Sequence, residues 1–293
     1  MKLHLILFFL AALTMSAAGL YAAGLDPFLP GEWSAGGIGA ALSYGLTLLA
    51  IVSIHEAGHY VTARRRGISV SPPYFLPAIG PIPGLGLIPF FGTFGAFIKM
   101  KWERIRAADL IAIAGWGPLA GFLVTVPAVF IGVALSEPVI LEDEGALLLG
   151  DPLIVHWATL LFHPGMEEGM ELMLHPLGLA GWVGCLLTAL NLLPVGQLDG
   201  GHLLYGVWGE SSKRIALAMF AAMVLMGVFL FPGWIVLALL VLWMGPVHPP
   251  MLEGPPARGR ERWMAGLCAV IFVLTFTPTP VVVDALPQWL GWM

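Results

Sequence analysis

The sequence predicts an all-α polytopic membrane protein with about six to seven transmembrane helices and a small membrane-associated β-hairpin or sheet region near residues 72–98. Three observations carry this expectation. Of the 293 residues, 58% are hydrophobic and only 11% are charged, whereas soluble domains carry roughly a quarter of their residues as charges. So few charges cannot cover a water-facing surface. The apolar residues also fall in long blocks, several near the roughly 20 residues that a spanning helix needs. The broken, proline-rich stretch between two of those blocks lacks the charge of a solvated loop.

The first apolar block, 3–23, follows Lys2 and ends in small residues at Tyr21-Ala22-Ala23. It reads either as a first spanning helix or as a signal-like segment. The second block runs from 38 to 63 and closes on Arg64-Arg65-Arg66; it encloses His55, Glu56 and His59. Residues 72–98 carry Pro72, Pro73, Pro77, Pro81, Pro83 and Pro89 with glycines between them. That is too broken for a helix, and Gly92 to Ile98 fits an edge strand. The third block spans about 105–135 and tolerates Gly115-Trp116-Gly117-Pro118, as spanning helices can when neighbours satisfy the freed backbone.

Residues 136–175 are acidic, with Glu137, Glu142, Asp143, Glu144, Asp151, Glu167, Glu168 and Glu171, and read as an aqueous loop with room for a short helix. The fourth block, 177–207, holds Asn191, Pro194, Asp199 and His202. Residues 215–247 are too long for one crossing, and Pro232-Gly233 suggests a hairpin of two short helices. The last block is 263–283. One membrane-embedded domain over 1–293 is expected, with blocks two, three and four as its core.

Lysine and arginine concentrate in cytoplasmic loops of membrane proteins. With Lys2 inside and seven crossings, all 13 basic residues fall on one side and the acidic 136–175 loop on the other. This places the N-terminus in the cytoplasm. A net charge of −5 without a basic stripe excludes nucleic acid as a partner. Cys185 and Cys268 sit inside apolar blocks and read as small buried hydrophobes.

His55-Glu56-Ala57-Gly58-His59 carries chemistry. On a helix, positions i and i+4 share one face, so two imidazoles can bind one metal ion while the adjacent glutamate reaches a water on that metal. Zinc suits imidazole and carboxylate ligands. A charge at the centre of a spanning helix costs about 2.5–3.5 kcal/mol, so three ionisable groups there call for a metal; the bland alternative is a solvated helix end with satisfied histidines. A third ligand is needed. Asp199, within Asn191-Leu192-Leu193-Pro194-Val195-Gly196-Gln197-Leu198-Asp199-Gly200-Gly201, has no basic residue near it in sequence. A buried carboxylate is costly unless held by an ion; a helix cap after Pro194 is the other reading. His202 is a ligand or, better, a partner of the ligands. Asn191 either hydrogen-bonds a substrate carbonyl or oxyanion or joins two helices.

These residues resemble the site-2 protease family of intramembrane zinc metalloproteases. The resemblance rests on His55 to His59 and on Asn191-Leu192-Leu193-Pro194 followed by Leu198-Asp199-Gly200. It extends to Gly92-Thr93-Phe94-Gly95-Ala96, Gly117-Pro118-Leu119-Ala120-Gly121 and His248-Pro249-Pro250, covering about residues 45–250. The Gly-Thr-Phe-Gly-Ala strand is similar to that of archaeal, bacterial and plant plastid members, and no PDZ-like or CBS-like insert is present. The resemblance implies one zinc per chain on His55, His59 and Asp199, with Glu56 as general base. It implies that Gly92, Thr93, Phe94 and Gly95 belong to a strand that pairs with an unwound substrate. Partners would be membrane-protein substrates and the lipid bilayer, with the site opening toward the cytoplasm. A catalytically silent scaffold of the same family and a zinc-dependent membrane transporter are the rival functions. The oligomeric state has no signature in the sequence. His156, His163 and His175 read as ordinary loop residues, and His248 as the exit of a helix.

Overall fold

The computed structural model describes residues 2–29, 31, 33–78, 91–101, 104–140, 147–167 and 169–283. Helices α1 (Lys2–Ala22), α2 (Ala35–Arg65) and α3 (Ala107–Ala134) form its first half. Ser34 starts α2: its backbone is extended, and its hydroxyl accepts the Gly37 N–H, satisfying one of the unpaired donors of the first turn. Arg64 and Arg65 end it, placing positive charge at the negative end of the helix dipole. At 31 residues, α2 is about 46 Å long, more than a hydrocarbon core requires.

Between α2 and α3 lie four short strands, β1 (Ser69–Val70), β2 (Tyr74–Pro77), β3 (Thr93–Phe97) and β4 (Met100–Lys101). They make two antiparallel pairs, β1 with β4 and β2 with β3; in the second, Tyr74 faces Phe97 and Phe75 faces Ala96. The expected hairpin near 72–98 is therefore present at both its arms. Pro81, Pro83 and Pro89 lie outside the described residues.

After α3 come β5 (Glu137–Ile140), β6 (Leu147–Leu149), α4 (Leu153–Phe162) and β7 (Met170–Met173). The acidic loop thus contains its short helix and also strands: β5 pairs with β7. Glu142, Asp143, Glu144 and Glu168 lie outside the described residues. Helix α5 (Pro176–Leu192) stops at Leu192, and α6 (Asp199–Trp208) begins only after a break over 193–198, because Pro194 has no N–H to continue the ladder. A 3-10 turn at Gly209–Ser211 leads into α7 (Ser212–Phe229), and α8 (Gly233–Met244) folds back on it. The bend falls at Pro232-Gly233, as the sequence suggests.

The final apolar block differs from expectation. Helix α9 (Trp263–Thr275) is short, and β8 (Val281–Val283) follows, paired with β6. Pro278 and Pro280 fix φ and cannot donate to a helix, and three β-branched valines favour a strand.

Glycines let the first helices approach backbone to backbone. Gly19 and Gly45 place α1 against Ala41 and Ser16; Gly58 and Gly121 place α2 against α3; Gly132 meets Gly178 of α5. The paired positions run in opposite senses, so α1, α2, α3 and α5 are successively antiparallel. Their core holds Met15, Tyr44, Leu48, Val129 and Trp182. The Tyr44 hydroxyl donates to the Phe91 carbonyl, and the Trp182 indole donates to the Gly150 carbonyl, so both rings bury area without orphaning a donor.

Among the described residues, four helical runs are long and apolar enough to cross a membrane: Lys2–Ala22, Ala35–Arg65, Ala107–Ala134 and Asp199–Phe229. Helices α4, α5, α8 and α9 are apolar but shorter. Phe9, Leu123, Phe229 and Trp243 expose large apolar side chains along these helices.

Candidate metal centre

Helix α2 brings His55 and His59 onto one face, and both are buried. His59 Nδ1 donates to the Ile113 carbonyl at 2.8 Å. That bond fixes the ring and leaves Nε2 as its bare nitrogen. Helix α3 makes room for both rings through glycine. A side-chain carbon at Gly117 would overlap the His59 imidazole, and one at Gly121 would crowd the His55 ring.

Asp199 comes from the first turn of α6, where the helix dipole favours a carboxylate. The preceding break, 193–198, is held in place from outside: the Gly196 N–H donates to the Pro246 carbonyl at 3.0 Å, and the Gln197 amide donates to the Met244 carbonyl at 3.1 Å. The three ligand atoms converge. His55 Nε2 and His59 Nε2 are 3.0 Å apart, and each is 3.3 Å from the same Asp199 Oδ2. A tetrahedral ion with ligand bonds of about 2.0–2.1 Å has ligand–ligand edges of about 3.3 Å. Three electron-pair donors at that spacing, in an apolar setting, fit a divalent cation, and among the described residues this is the group that can hold one.

Glu56 lies beside the ligands, only 4% exposed, and its Oε2 has no hydrogen-bond partner among the described residues. A buried carboxylate oxygen without a protein partner fits a position facing a water on the metal. The same cleft, about 250 Å³, is lined by Glu56, Asn191, Gln197, Asp199, His202 and Met244. Asn191 is on the last turn of α5, and His202 lies one turn beyond Asp199 on α6.

The strand residues are arranged less simply. Gly92 takes a positive φ of 79° and packs on α1 at Thr14 and Met15; its carbonyl accepts the Thr14 hydroxyl at 2.6 Å. Thr93 is fully buried and donates to the Leu76 carbonyl. Phe94 points to the exterior, and Gly95 N–H bonds Thr93 Oγ1. The cleft is instead lined by Ala96, Phe97 and Ile98, the following residues of the same strand and its exit. Period-two alternation can name the strand but not the stretch of it that meets the cleft. Ile113, Gln197 and Met244 have no advance signal as site residues, whereas Gly117 and Gly121 stand in a motif whose purpose only the helix contact reveals.

Toward the basic end of α2, Asp109 is 5% exposed and bridges two arginines. Arg66 Nη1 donates to Oδ1, and Arg106 Nε donates to Oδ2 at 2.8 Å. The C-terminus of α2 is thereby fastened to the start of α3. At 1.5 Å per residue, His59 and His55 lie about 7 and 14 Å along the axis from Arg64. The histidines of the acidic 136–175 stretch do not gather: His156 pairs with Asp151, His163 donates to the Val133 carbonyl, and His175 caps α5.

Residues 43–232 match the family described as peptidase family M50. The chain belongs to that family. The match contains His55, Glu56, His59 and Asp199, and it ends before the segment that carries His248. Among similar proteins, "Probable zinc metalloprotease EGY2, chloroplastic" from Oryza sativa subsp. indica is 32% identical over 217 residues, 70% of this chain and 37% of that protein. "Probable zinc metalloprotease EGY1, chloroplastic" from Arabidopsis thaliana is 30% identical over 257 residues, 82% of this chain and 43% of that protein. The chain therefore spans about four-tenths of the length of these relatives.

Proposed function

We propose that this chain is a zinc metalloendopeptidase that hydrolyses peptide bonds within or near the transmembrane segments of membrane-protein substrates. One observation carries the reading: His55, His59 and Asp199 converge at tetrahedral spacing beside the buried Glu56, whose Oε2 has no partner among the described residues, on apolar helices. The names of two relatives, each a "Probable zinc metalloprotease", agree with it.

Each residue then has a role. His55, His59 and Asp199 hold one zinc ion per chain. Bound zinc supplies a Lewis acid and lowers the pKa of a coordinated water to about 7. Glu56 takes the proton of the attacking water and delivers it to the leaving nitrogen. Asn191, which also lines the cleft, hydrogen-bonds the scissile carbonyl. The substrate lies along Ala96–Ile98, continuing the β2–β3 pair, so main-chain hydrogen bonds hold it without demanding a sequence. Pairing also unwinds the substrate, whose amide would otherwise be shielded by helical hydrogen bonds.

A single membrane-embedded domain has α2, α3 and α5–α6 as its catalytic core, six to seven crossings, and a cytoplasmic N-terminus. The cleft opens toward the cytoplasm, because the basic residues cluster at the end of α2 nearest the metal centre.

The test is cleavage of a single-span membrane substrate by purified, detergent-solubilised protein, with zinc content assayed alongside. Cleavage lost in Glu56→Ala and in chelated wild type, with about one zinc per chain, is the expected outcome. Zinc without cleavage of several substrates would favour a silent scaffold of the family; an ion flux that survives Glu56→Ala would favour a transporter. An intact preparation that binds no zinc overturns the site.

A further inference from the structure

The segment after α8 is a strap across the metal-centre end of the molecule. It accepts the Gly196 N–H at Pro246, and Met251 exchanges bonds with Tyr205 and Ile105. In its middle stands His248, 5% exposed. The His248 ring stacks on the Tyr205 ring, with centroids 4.2 Å apart and planes 10° from parallel. Its Nδ1 lies 2.7 Å from the Pro249 carbonyl, and its Nε2 lies 2.6 Å from His202 Nδ1.

This chain of contacts has a definite proton arrangement. A carbonyl only accepts, so His248 Nδ1 carries the proton. In the neutral ring, His248 Nε2 is then the bare nitrogen and must accept. His202 Nδ1 is therefore the donor, and Nε2 is the acceptor nitrogen of His202. Burial holds His248 below its ordinary pKa, which keeps that ring neutral near pH 7. His202 lines the cleft, one helical turn from Asp199.

We propose that His248 is a positioning residue for the reaction: from outside the helices that carry the metal ligands, it fixes the tautomer and orientation of His202 on the cleft wall. Tyr205 clamps the His248 ring in plane, and the Pro249 carbonyl sets which way its protons point. The strap thus controls the hydrogen-bonding character of a residue beside the metal centre without touching a ligand. The functional part of this inference rests on the protease reading above; the tautomer does not.

The test uses the full chain labelled with 15N in histidine, with His202 assigned by substitution. Ring-nitrogen chemical shifts distinguish protonated from bare nitrogen. In wild type at neutral pH, His202 Nδ1 and His248 Nδ1 are expected to be protonated and both Nε2 atoms bare. His248→Leu removes the acceptor of the His202 Nδ1 proton and should shift His202 away from its wild-type tautomer. His248→Gln offers an amide oxygen in the same place and should restore the wild-type pattern. Turnover should follow, falling about tenfold in His248→Leu, with KM and zinc content changed less than about twofold, and recovering in His248→Gln. Bare His202 Nδ1 in wild type, or an unchanged His202 tautomer in His248→Leu, overturns the proposal. So does a turnover loss in His248→Leu that His248→Gln fails to restore while the tautomer is restored. If His248→Leu does not fold, the wild-type spectrum alone decides the tautomer. If the wild type cleaves nothing, the protease reading fails while the tautomer result stands.

Discussion

Gly117 of α3 lies so close to His59 of α2 that no side-chain carbon fits between them. The imidazole is pressed against bare backbone and held there by the Ile113 carbonyl. Gly117→Ala should therefore push His59 off its ligand position. Overpacking of this kind costs about 1–3 kcal/mol, and zinc affinity should fall at least about tenfold. Competition with a chromophoric chelator measures the affinity; wild-type affinity in the alanine variant would contradict the close fit.

Asp199 is the one carboxylate among the three candidate ligands, so its charge would hold an ion as much as its geometry would. Asp199→Asn keeps the shape and removes the charge. Ion binding stabilises the folded state by RT ln(1 + [L]/Kd), about 4 kcal/mol at a thousand times Kd. A strong chelator should lower the thermal midpoint of the wild type and leave that of Asp199→Asn nearly unmoved. Equal shifts in both would place the ion elsewhere.

Asp109 binds Arg66 and Arg106 at the junction of α2 and α3. The arginines are 40% and 70% exposed, so water screens much of the attraction. Asp109→Asn should cost about 1–2 kcal/mol, less than stranding a fully buried charge. Thermal unfolding in detergent reads it, and zinc content should stay near wild type because no ligand is touched.

His248 gives a pH dependence of known sign. Burial lowers its folded pKa, against smaller upward pulls from the Pro249 carbonyl and Glu210. A group with a lowered folded value contributes stability that is complete above its unfolded value, about 6.5. That contribution is lost as pH falls from there through the folded value. The wild type should lose more thermal stability than His248→Gln between pH 7 and pH 5. Parallel losses would mean that His248 does not report on folding.

The candidate site was legible because an ionisable group inside an apolar helix is costly unless an ion or a partner holds it. His55, Glu56, His59 and Asp199 stand out against their neighbours for that reason. The break before Asp199 was legible from Pro194, and the α7–α8 bend from Pro232-Gly233. The stretch after Thr275 was not. Hydropathy runs on past that residue, and a window that sums apolar character cannot see that Pro278 and Pro280 turn Val281–Val283 into a strand. The part of β3 that meets the cleft was hidden for a different reason. Strand alternation fixes which residues share a face, but not how far along its length another helix lies. Gly117 and Gly121 show the same limit, since their purpose is a distance between helices that no single segment encodes.

The glycine contacts between α2, α3 and α5 have a consequence for motion. Where Gly58 touches the Trp116–Gly117 backbone and Gly132 touches Gly178, no rotamers are available to absorb sliding, and any parting opens a gap along the whole seam. The three helices behave as one solid jamb. The two-stranded β2–β3 pair and the strap from Gly245 onward lie outside that seam and are tied to it by side-chain packing and hydrogen bonds. The candidate metal centre is hung on the jamb and on α6 beside it, so backbone contact, not side-chain packing, sets the position of His55 and His59.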